Sequence, residues 1–182
     1  MRLFIAIVPP QEIIDLASMI GNELSSLPDF NLRFVKSENM ELTLTFLGEV
    51  DDKDVDAIRA RLRKIRFDEF FLRTKGYGFF PSEKRIRVVW IGLEKNDDFI
   101  KLQRDIRELF HHKDKFMPHI TIARAKQIII QDAEKLDNIL NKIRYDEIEF
   151  KINKFYLFSS ELKPEGPIHK VVEEYIREYS ED

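Results

Sequence analysis

A four-residue pattern occurs twice in this chain, as Glu-Leu-Thr-Leu at residues 41–44 and as His-Ile-Thr-Ile at residues 119–122. Because side chains alternate between the two faces of a strand, Glu41 shares a face with Thr43, and His119 shares one with Thr121. The aliphatic residues between them then face a hydrophobic core. Two such strands side by side would bring two ionisable groups and two hydroxyls to one place, a composition suited to binding phosphate.

Further recognisable segments accompany the two motifs, in order along nearly the whole chain. They are Met1–Ile7, Glu38–Met40, Phe46–Gly48, Phe80–Pro81, Arg87–Gly92 and Ser160–Pro167. With these segments the chain resembles the 2H phosphoesterases, specifically the 2′–5′ RNA ligase and RNA 2′,3′-cyclic phosphodiesterase family, which is named for two His-x-Thr-x motifs. The chain departs from that pattern at the first motif, where Glu41 stands in place of the histidine.

The resemblance implies a fold and an activity. The fold is α+β, with two pseudo-symmetric lobes, each an antiparallel-rich sheet with helices on its outer face, around a central cleft. Residues 1–182 then form a single bilobal domain. The activity is hydrolysis of RNA 2′,3′-cyclic phosphate ends to 2′-phosphates without metal or cofactor, and 2′–5′ RNA ligation in the reverse direction. In the family one histidine activates water and the other protonates the departing ribose oxygen. The sequence leaves open which step His119 serves.

Hydrophobic periodicity predicts alternating strands and helices, with no linker that would separate independent domains. The expected strands are Leu3–Val8, Leu32–Val35, Leu42–Leu47, Phe70–Lys75, Ile86–Leu93, the segment at His119, Ile148–Ile152 and Phe155–Phe158. The expected helices are Gln11–Leu24, one opened by Asp51, Asp97–Phe110 and Gln131–Ile143. We expect a turn at Gly76–Gly78. The tail, Lys170–Tyr179, is ambiguous by pattern, and the resemblance implies a strand there.

His119 is the best candidate for proton transfer. An imidazole titrates near neutral pH, so it can take a proton from water or give one to a leaving alkoxide. The hydroxyls of Thr43 and Thr121 can each donate a hydrogen bond to a phosphate oxygen. We therefore expect His119 to be catalytic and both threonines to bind phosphate.

Glu41 admits three interpretations. A carboxyl group of ordinary pKa, about 4.3, is ionised at pH 7, but burial or a neighbouring phosphate raises such a pKa and allows it to act as an acid. Alternatively, catalysis is lost and the cleft is a binding module for RNA ends or phosphorylated nucleotides. In the third interpretation Glu41 is a natural or engineered inactivating change, with weak turnover through His119. We expect activity below that of an intact histidine pair.

Basic and aromatic side chains outside the two motifs are further candidates for binding phosphate and base. Arg124 and Arg87 are candidate phosphate ligands, and Phe80 is a candidate stacking platform for a nucleobase. Strict alternation puts Ala123, and not Arg124, on the face of His119, unless a bulge or turn intervenes. We expect Trp90 in the core. The adjacent residues His111 and His112 are expected at a solvated helix end, and His169 in a surface or structural role.

Composition limits the kinds of partner. The net charge of −3 argues against a long electrostatic track along RNA and favours recognition of one terminus by a local cluster. The sequence has no cysteine, which excludes disulfides and thiolate metal sites. The apolar start, residues 1–8, is too short to span a membrane. We expect a cytoplasmic monomer that needs no metal and no cofactor.

Overall fold

Nine strands and four α-helices follow one another along the part of the chain that the structure describes. The computed structural model describes residues 1–26, 30–82, 85–111, 117–164 and 166–177, with the backbone alone at 127–132. The strands are β1 (Arg2–Ile7), β2 (Arg33–Phe34), β3 (Leu42–Glu49), β4 (Phe70–Ser82), β5 (Arg85–Leu93), β6 (His119–Ile129), β7 (Glu149–Ile152), β8 (Lys154–Lys163) and β9 (Gly166–Ile176). The α-helices are α1 (Gln11–Ser25), α2 (Val55–Leu62), α3 (Asp97–Leu109) and α4 (Ile130–Leu140), with 3₁₀ turns at Ser37–Asn39 and Asp52–Asp54.

The strand order divides the sheet into two similar halves. Neighbouring strands follow the order β7-β4-β5-β6-β3-β1-β8-β9, and β2 pairs with β6 at the side. Each half has four strands and ends with a motif strand at the centre, β3 in the first lobe and β6 in the second. The two halves also share a strand, helix and motif strand in the same order along the chain, β1-α1-β3 in the first and β5-α3-β6 in the second. This arrangement confirms the expected α+β class with two pseudo-symmetric lobes.

The hydrophobic core lies behind the motif strands and continues from one lobe into the other. The aliphatic residues of both motifs, Leu42, Leu44, Ile120 and Ile122, are at most 1% exposed. Each motif strand is backed by the helix of the other half, α1 against β6 and α3 against β3. From α3, the buried Gln103 side chain donates a hydrogen bond of 3.3 Å to the backbone carbonyl of Leu44. The opposite face of each motif strand is thereby left for polar residues.

The sheet of the first lobe curls strongly. β3 and β9 are separated by β1 and β8, which would put them about 14 Å apart in a flat sheet. Nevertheless the Asn39 side chain, just before β3, donates a hydrogen bond of 2.9 Å to the Pro167 carbonyl in β9. The start of β9 is therefore folded over toward the start of β3, and the face between them is concave.

Several predicted boundaries need correction. The turn predicted at Gly76–Gly78 is wrong, because β4 continues through it. Gly76 has a φ of +64°, and the β4–β5 register shifts between Thr74 and Tyr77, so a bulge takes up the glycine instead of a chain reversal. The tail does form a strand, β9, but the strand begins at Gly166. Residues 178 and 179 of the predicted tail strand lie outside the described residues.

No helix within the described ranges is both long enough and apolar enough to cross a membrane.

Candidate active site

The two motif strands are direct neighbours in the sheet. Leu42 of β3 pairs with Ile120 of β6 in an antiparallel arrangement. One residue further on each side, this register sets Glu41 beside Thr121 and Thr43 beside His119. Since Leu42 and Ile120 point into the core, these four side chains belong to the opposite face. The pairing thus brings together the two patterns that the sequence places 78 positions apart.

His119 is held in a defined tautomer. Its Nδ1 lies 2.7 Å from the backbone carbonyl of Met117. A carbonyl can only accept, so in the neutral ring Nδ1 carries the proton and Nε2 carries the lone pair. Burial lowers the pKa of His119 below its ordinary 6.5 and the positive charge of Arg124 lowers it further, while the Met117 carbonyl opposes both. The ring is therefore neutral at pH 7 and suited to accept a proton at Nε2.

Two aromatic rings fix the orientation of His119. The Phe80 ring meets the imidazole edge-on with its centroid 4.8 Å away, and the Trp90 ring centroid lies at 6.0 Å. Trp90 was expected in the core, but it is half-buried and pairs with Thr121 on the polar face. A Cβ on Gly78 would lie 2.2 Å from the Trp90 ring, so a glycine is required there for the indole to pack.

A β-bulge brings Arg124 to the face of His119. Trp90 of β5 pairs with Thr121, and the preceding residue Val89 pairs with Ala123, so Ile122 is an extra residue in β6. The alternation changes phase at that point, and Ala123 is fully buried in the core. Arg124 is exposed on the other face, where its charge acts on His119. Arg124 can share the face of His119 only because this bulge interrupts the strict alternation of the strand.

A second arginine, which the sequence reasoning missed, stands next to Arg124. Arg33 of the short strand β2 pairs directly with Arg124, and both side chains are exposed. Two like charges opposite each other in a sheet are destabilising unless an anion lies between them. Within the described residues neither guanidinium forms an ion pair, so both remain available to phosphate. Arg87 is exposed on β5, two residues from the bulge partner Val89.

Glu41 lies against a histidine from the far end of the chain. Its Oε2 is 3.3 Å from Nδ1 of His169, an ion-pair distance without the alignment of a hydrogen bond. Both side chains are largely buried, so His169 is not a surface residue. Both line a cavity of about 450 Å³ beside the start of β3, together with Gln11, Ser37, Glu38 and Tyr156. His119 is not among the described residues that line this cavity; it lies across the β3–β6 pairing.

The two motif threonines differ in solvent exposure. Thr43 is buried, at 7% exposure, whereas Thr121 is half-buried.

Among the described residues, no group of three or more His, Cys, Asp or Glu is placed to hold a metal ion. The chemistry that this site offers is proton transfer by imidazole and carboxyl groups, together with hydrogen bonds and positive charge for an anion.

A family model described as LigT like phosphoesterase matches the chain twice, over residues 7–90 and 91–169. The chain belongs to this family. Each match takes in one motif, which agrees with the two similar halves of the sheet.

Individual relatives match this LigT-like phosphoesterase over nearly their whole length. A protein of Thermotoga maritima named RNA 2′,3′-cyclic phosphodiesterase is 40% identical over 181 residues, which cover 96% of this chain and 94% of the relative. The crystal structure of TT0787 from Thermus thermophilus matches with a TM-score of 0.74 at 27% identity and covers 97% of both chains. Escherichia coli LigT complexed with 3′-AMP shares the fold, with a TM-score of 0.74 at 24% identity and the same coverage.

Proposed function

We propose that this protein hydrolyses the 2′,3′-cyclic phosphate at RNA ends to a 2′-phosphate. Its Thermotoga maritima relative is named RNA 2′,3′-cyclic phosphodiesterase. The observation that carries the proposal is the neutral, oriented His119 on a strand paired with the other motif strand. The chain is an enzyme in this proposal, acting as a monomeric single domain in the cytoplasm without metal or cofactor.

His119 serves as the general base in the hydrolytic direction. Its Nε2 takes a proton from water, and the water oxygen forms a bond to phosphorus. Thr43 and Thr121 donate hydrogen bonds to the nonbridging oxygens, where negative charge develops. Because Arg124 and Arg33 are adjacent on the same face, they hold the phosphate and a neighbouring anionic group of the RNA.

Two further residues belong to the outer part of the proposed site. Phe80 is half-buried, so part of its ring remains accessible to a nucleobase while the rest braces His119. Arg87, exposed on β5, contributes positive charge for a more distant phosphate.

Glu41 weakens the site relative to an intact histidine pair. A carboxylate beside a phosphate repels it, and it lacks the imidazole that family members use for the second proton transfer. We therefore expect the native protein to turn over cyclic phosphate slowly, and Glu41→His to be faster.

The test is an assay with a short oligoribonucleotide that ends in a 2′,3′-cyclic phosphate, with the product identified as the 2′-phosphate by chromatography. We expect slow turnover by the native protein, faster turnover by Glu41→His, and a loss of about 10²–10⁴-fold in His119→Ala. No product from either the native protein or Glu41→His would refute the proposal. Measurable affinity for the oligonucleotide without product would instead identify a binding module for RNA ends.

A further inference from the structure

The contact between Glu41 and His169 joins the position of the missing motif histidine to another imidazole. The Glu41 carboxyl is 17% exposed and the His169 ring 12%, and their nearest atoms are 3.3 Å apart. An isolated carboxylate is costly to bury, and a protonated imidazole beside it forms an ion pair that offsets the cost. Glu41 stands where the family has its first motif histidine, and in this chain another histidine, His169, lies against it.

His169 lies on the same face of the sheet as the motif residues. Its ring centroid is 4.8 Å from that of Phe4 and 6.5 Å from that of Phe158. Phe4, Ala6 and Phe158 form a small apolar cluster separate from the main core, so they lie on the opposite face from Leu42. Ala6 in turn pairs with Thr43. The imidazole of His169 therefore reaches the concave face that carries the proposed phosphate ligand Thr43.

The curl of the first lobe makes this contact. The hydrogen bond from Asn39 to Pro167 fixes the start of β9 over the start of β3. His169 follows two residues later in β9, and Glu41 two residues after Asn39. The two side chains are thus held from both strands, and the ring of His169 is also packed against Phe4 and Phe158. Such support restricts the orientation of an imidazole, as proton transfer requires.

We propose that His169 is the second proton-transfer residue of this site, in place of the motif histidine, and that Glu41 is its positioning residue. The inference rests on the proposed hydrolysis of cyclic phosphate.

In the proposed step His119 removes one proton from water as the water oxygen bonds to phosphorus. The bond between phosphorus and O3′ breaks, its electron pair stays on O3′, and the imidazolium of His169 gives O3′ a proton. The product is a 2′-phosphate with a free 3′-hydroxyl. Both histidines then return to their starting states by exchanging one proton each with solvent. No oxidant, metal or further reactant is needed.

The surroundings of the two imidazoles suit opposite roles. His119 lies near the positive charge of Arg124, which favours the neutral base. His169 lies against the carboxylate of Glu41, whose Oε2 is 3.3 Å from its Nδ1. The other ionisable groups lining the cavity beside His169 are Glu38 and Tyr156. Neither places a positive charge beside His169.

A double-mutant cycle tests the proposal. His169→Phe keeps an aromatic ring against Phe4 but removes the proton. In the native background we expect it to lower kcat on the cyclic-phosphate oligoribonucleotide by about 10²-fold or more. In the Glu41→His background the motif imidazole is restored, and we expect the same substitution to cost less than about 10-fold. His169→Gln serves as a second variant should His169→Phe fail to fold, and His111→Asn is the control for loss of an exposed imidazole at the end of α3.

The outcomes separate this inference from the proposed function. An equal loss in both backgrounds would assign His169 a structural role and overturn the inference while leaving the hydrolysis intact. No product from the native protein or from Glu41→His would overturn both. Glu41→Gln gives an independent check, because it removes the charge that holds His169. We expect a loss of activity, whereas a gain would mean that Glu41 only repels the substrate, and would overturn the positioning role.

Discussion

At the scale of single residues, the environment of His119 predicts a pH profile. Burial and the charge of Arg124 lower the pKa of His119 below 6.5. A general base works only when it is unprotonated, so kcat/KM should stay high down through pH 6.5 and fall only as the pH drops through the lowered pKa. Arg124→Ala removes one cause of the shift, so its acid limb should move up toward pH 6.5. Profiles of kcat/KM against pH on the cyclic-phosphate oligoribonucleotide measure the acid limb of the native protein and that of Arg124→Ala. An acid limb above pH 6.5 in the native protein would contradict the role of His119 as general base.

The paired arginines predict a salt dependence. Replacing Arg33 or Arg124 by alanine should raise KM, and each should reduce the slope of log affinity against log salt concentration by about one, because one phosphate contact is lost. Binding of the oligoribonucleotide at several salt concentrations measures the slope. Arg61→Ala, which removes an exposed arginine on α2, is the matched control and should leave the slope unchanged. Unchanged slopes in Arg33→Ala and Arg124→Ala would show that the pair does not contact phosphate.

At the scale of elements, irregularities in β4 and β6 place the side chains of the second lobe. The extra residue Ile122 turns Arg124 toward His119, and the bulge at Gly76 lets β4 continue to Gly78 and Phe80. Strict alternation along a sequence cannot locate a bulge, because the inserted residue is decided by pairing with a neighbouring strand. For this reason the sequence correctly predicted which face the motif residues occupy. Strict alternation put Arg124 on the opposite face from His119, and only the bulge in the structure places it on the same face.

The packing of Trp90 over Gly78 predicts an effect on catalysis from outside the motifs. A methyl group in Gly78→Ala would lie 2.2 Å from the ring and force the indole aside. Since Trp90 and Phe80 both pack against His119, the base should lose its orientation. We expect kcat to fall by about 10-fold or more at a stability cost of roughly 1–3 kcal/mol.

The measurement for Gly78→Ala has a built-in probe. Trp90 is the single tryptophan of the chain, so selectively excited tryptophan fluorescence reports the surroundings of this one ring. A changed emission spectrum should accompany the loss of kcat. A normal kcat despite a displaced indole would mean that Phe80 and the Met117 hydrogen bond orient His119 without it.

At the scale of the whole molecule, the sequence predicted the features that a local pattern marks. It did not predict contacts that arise only when several strands curl together. The repeated motif predicted the pairing of the two motif strands, because each copy carries its own alternation, and the family resemblance implied the two lobes. The contact between Glu41 and His169 joins residues 128 positions apart and arises from the curl of four strands. No local pattern encodes that curl, so the sequence assigned His169 only a surface or structural role.

The anchor that ties β9 to α2 predicts how stability depends on pH. Glu173 of β9 binds Arg63, with Nε 2.6 Å from its Oε1, and also binds Arg59. Burial alone would raise the pKa of Glu173, but hydrogen bonds and charges from both arginines outweigh it and hold the pKa below its ordinary 4.5. A carboxylate whose pKa is lowered by folding stabilises the protein fully above its unfolded pKa, and this contribution is lost as the pH falls through the folded value. Glu173→Gln should therefore lower Tm at pH 7, by about 2–6 °C for a chain of this size.

The difference in Tm between Glu173→Gln and the native protein should close only as the pH falls through the lowered pKa of Glu173, below 4.5, because only then is the native carboxylate also neutral. Thermal unfolding followed by circular dichroism across pH 3–7 measures this, with Glu23→Gln on the exposed face of α1 as the matched control. Because one core continues through both lobes, we expect a single transition in each case. A gap in Tm that stays constant with pH would assign the loss to packing at β9 instead of to the charge of Glu173.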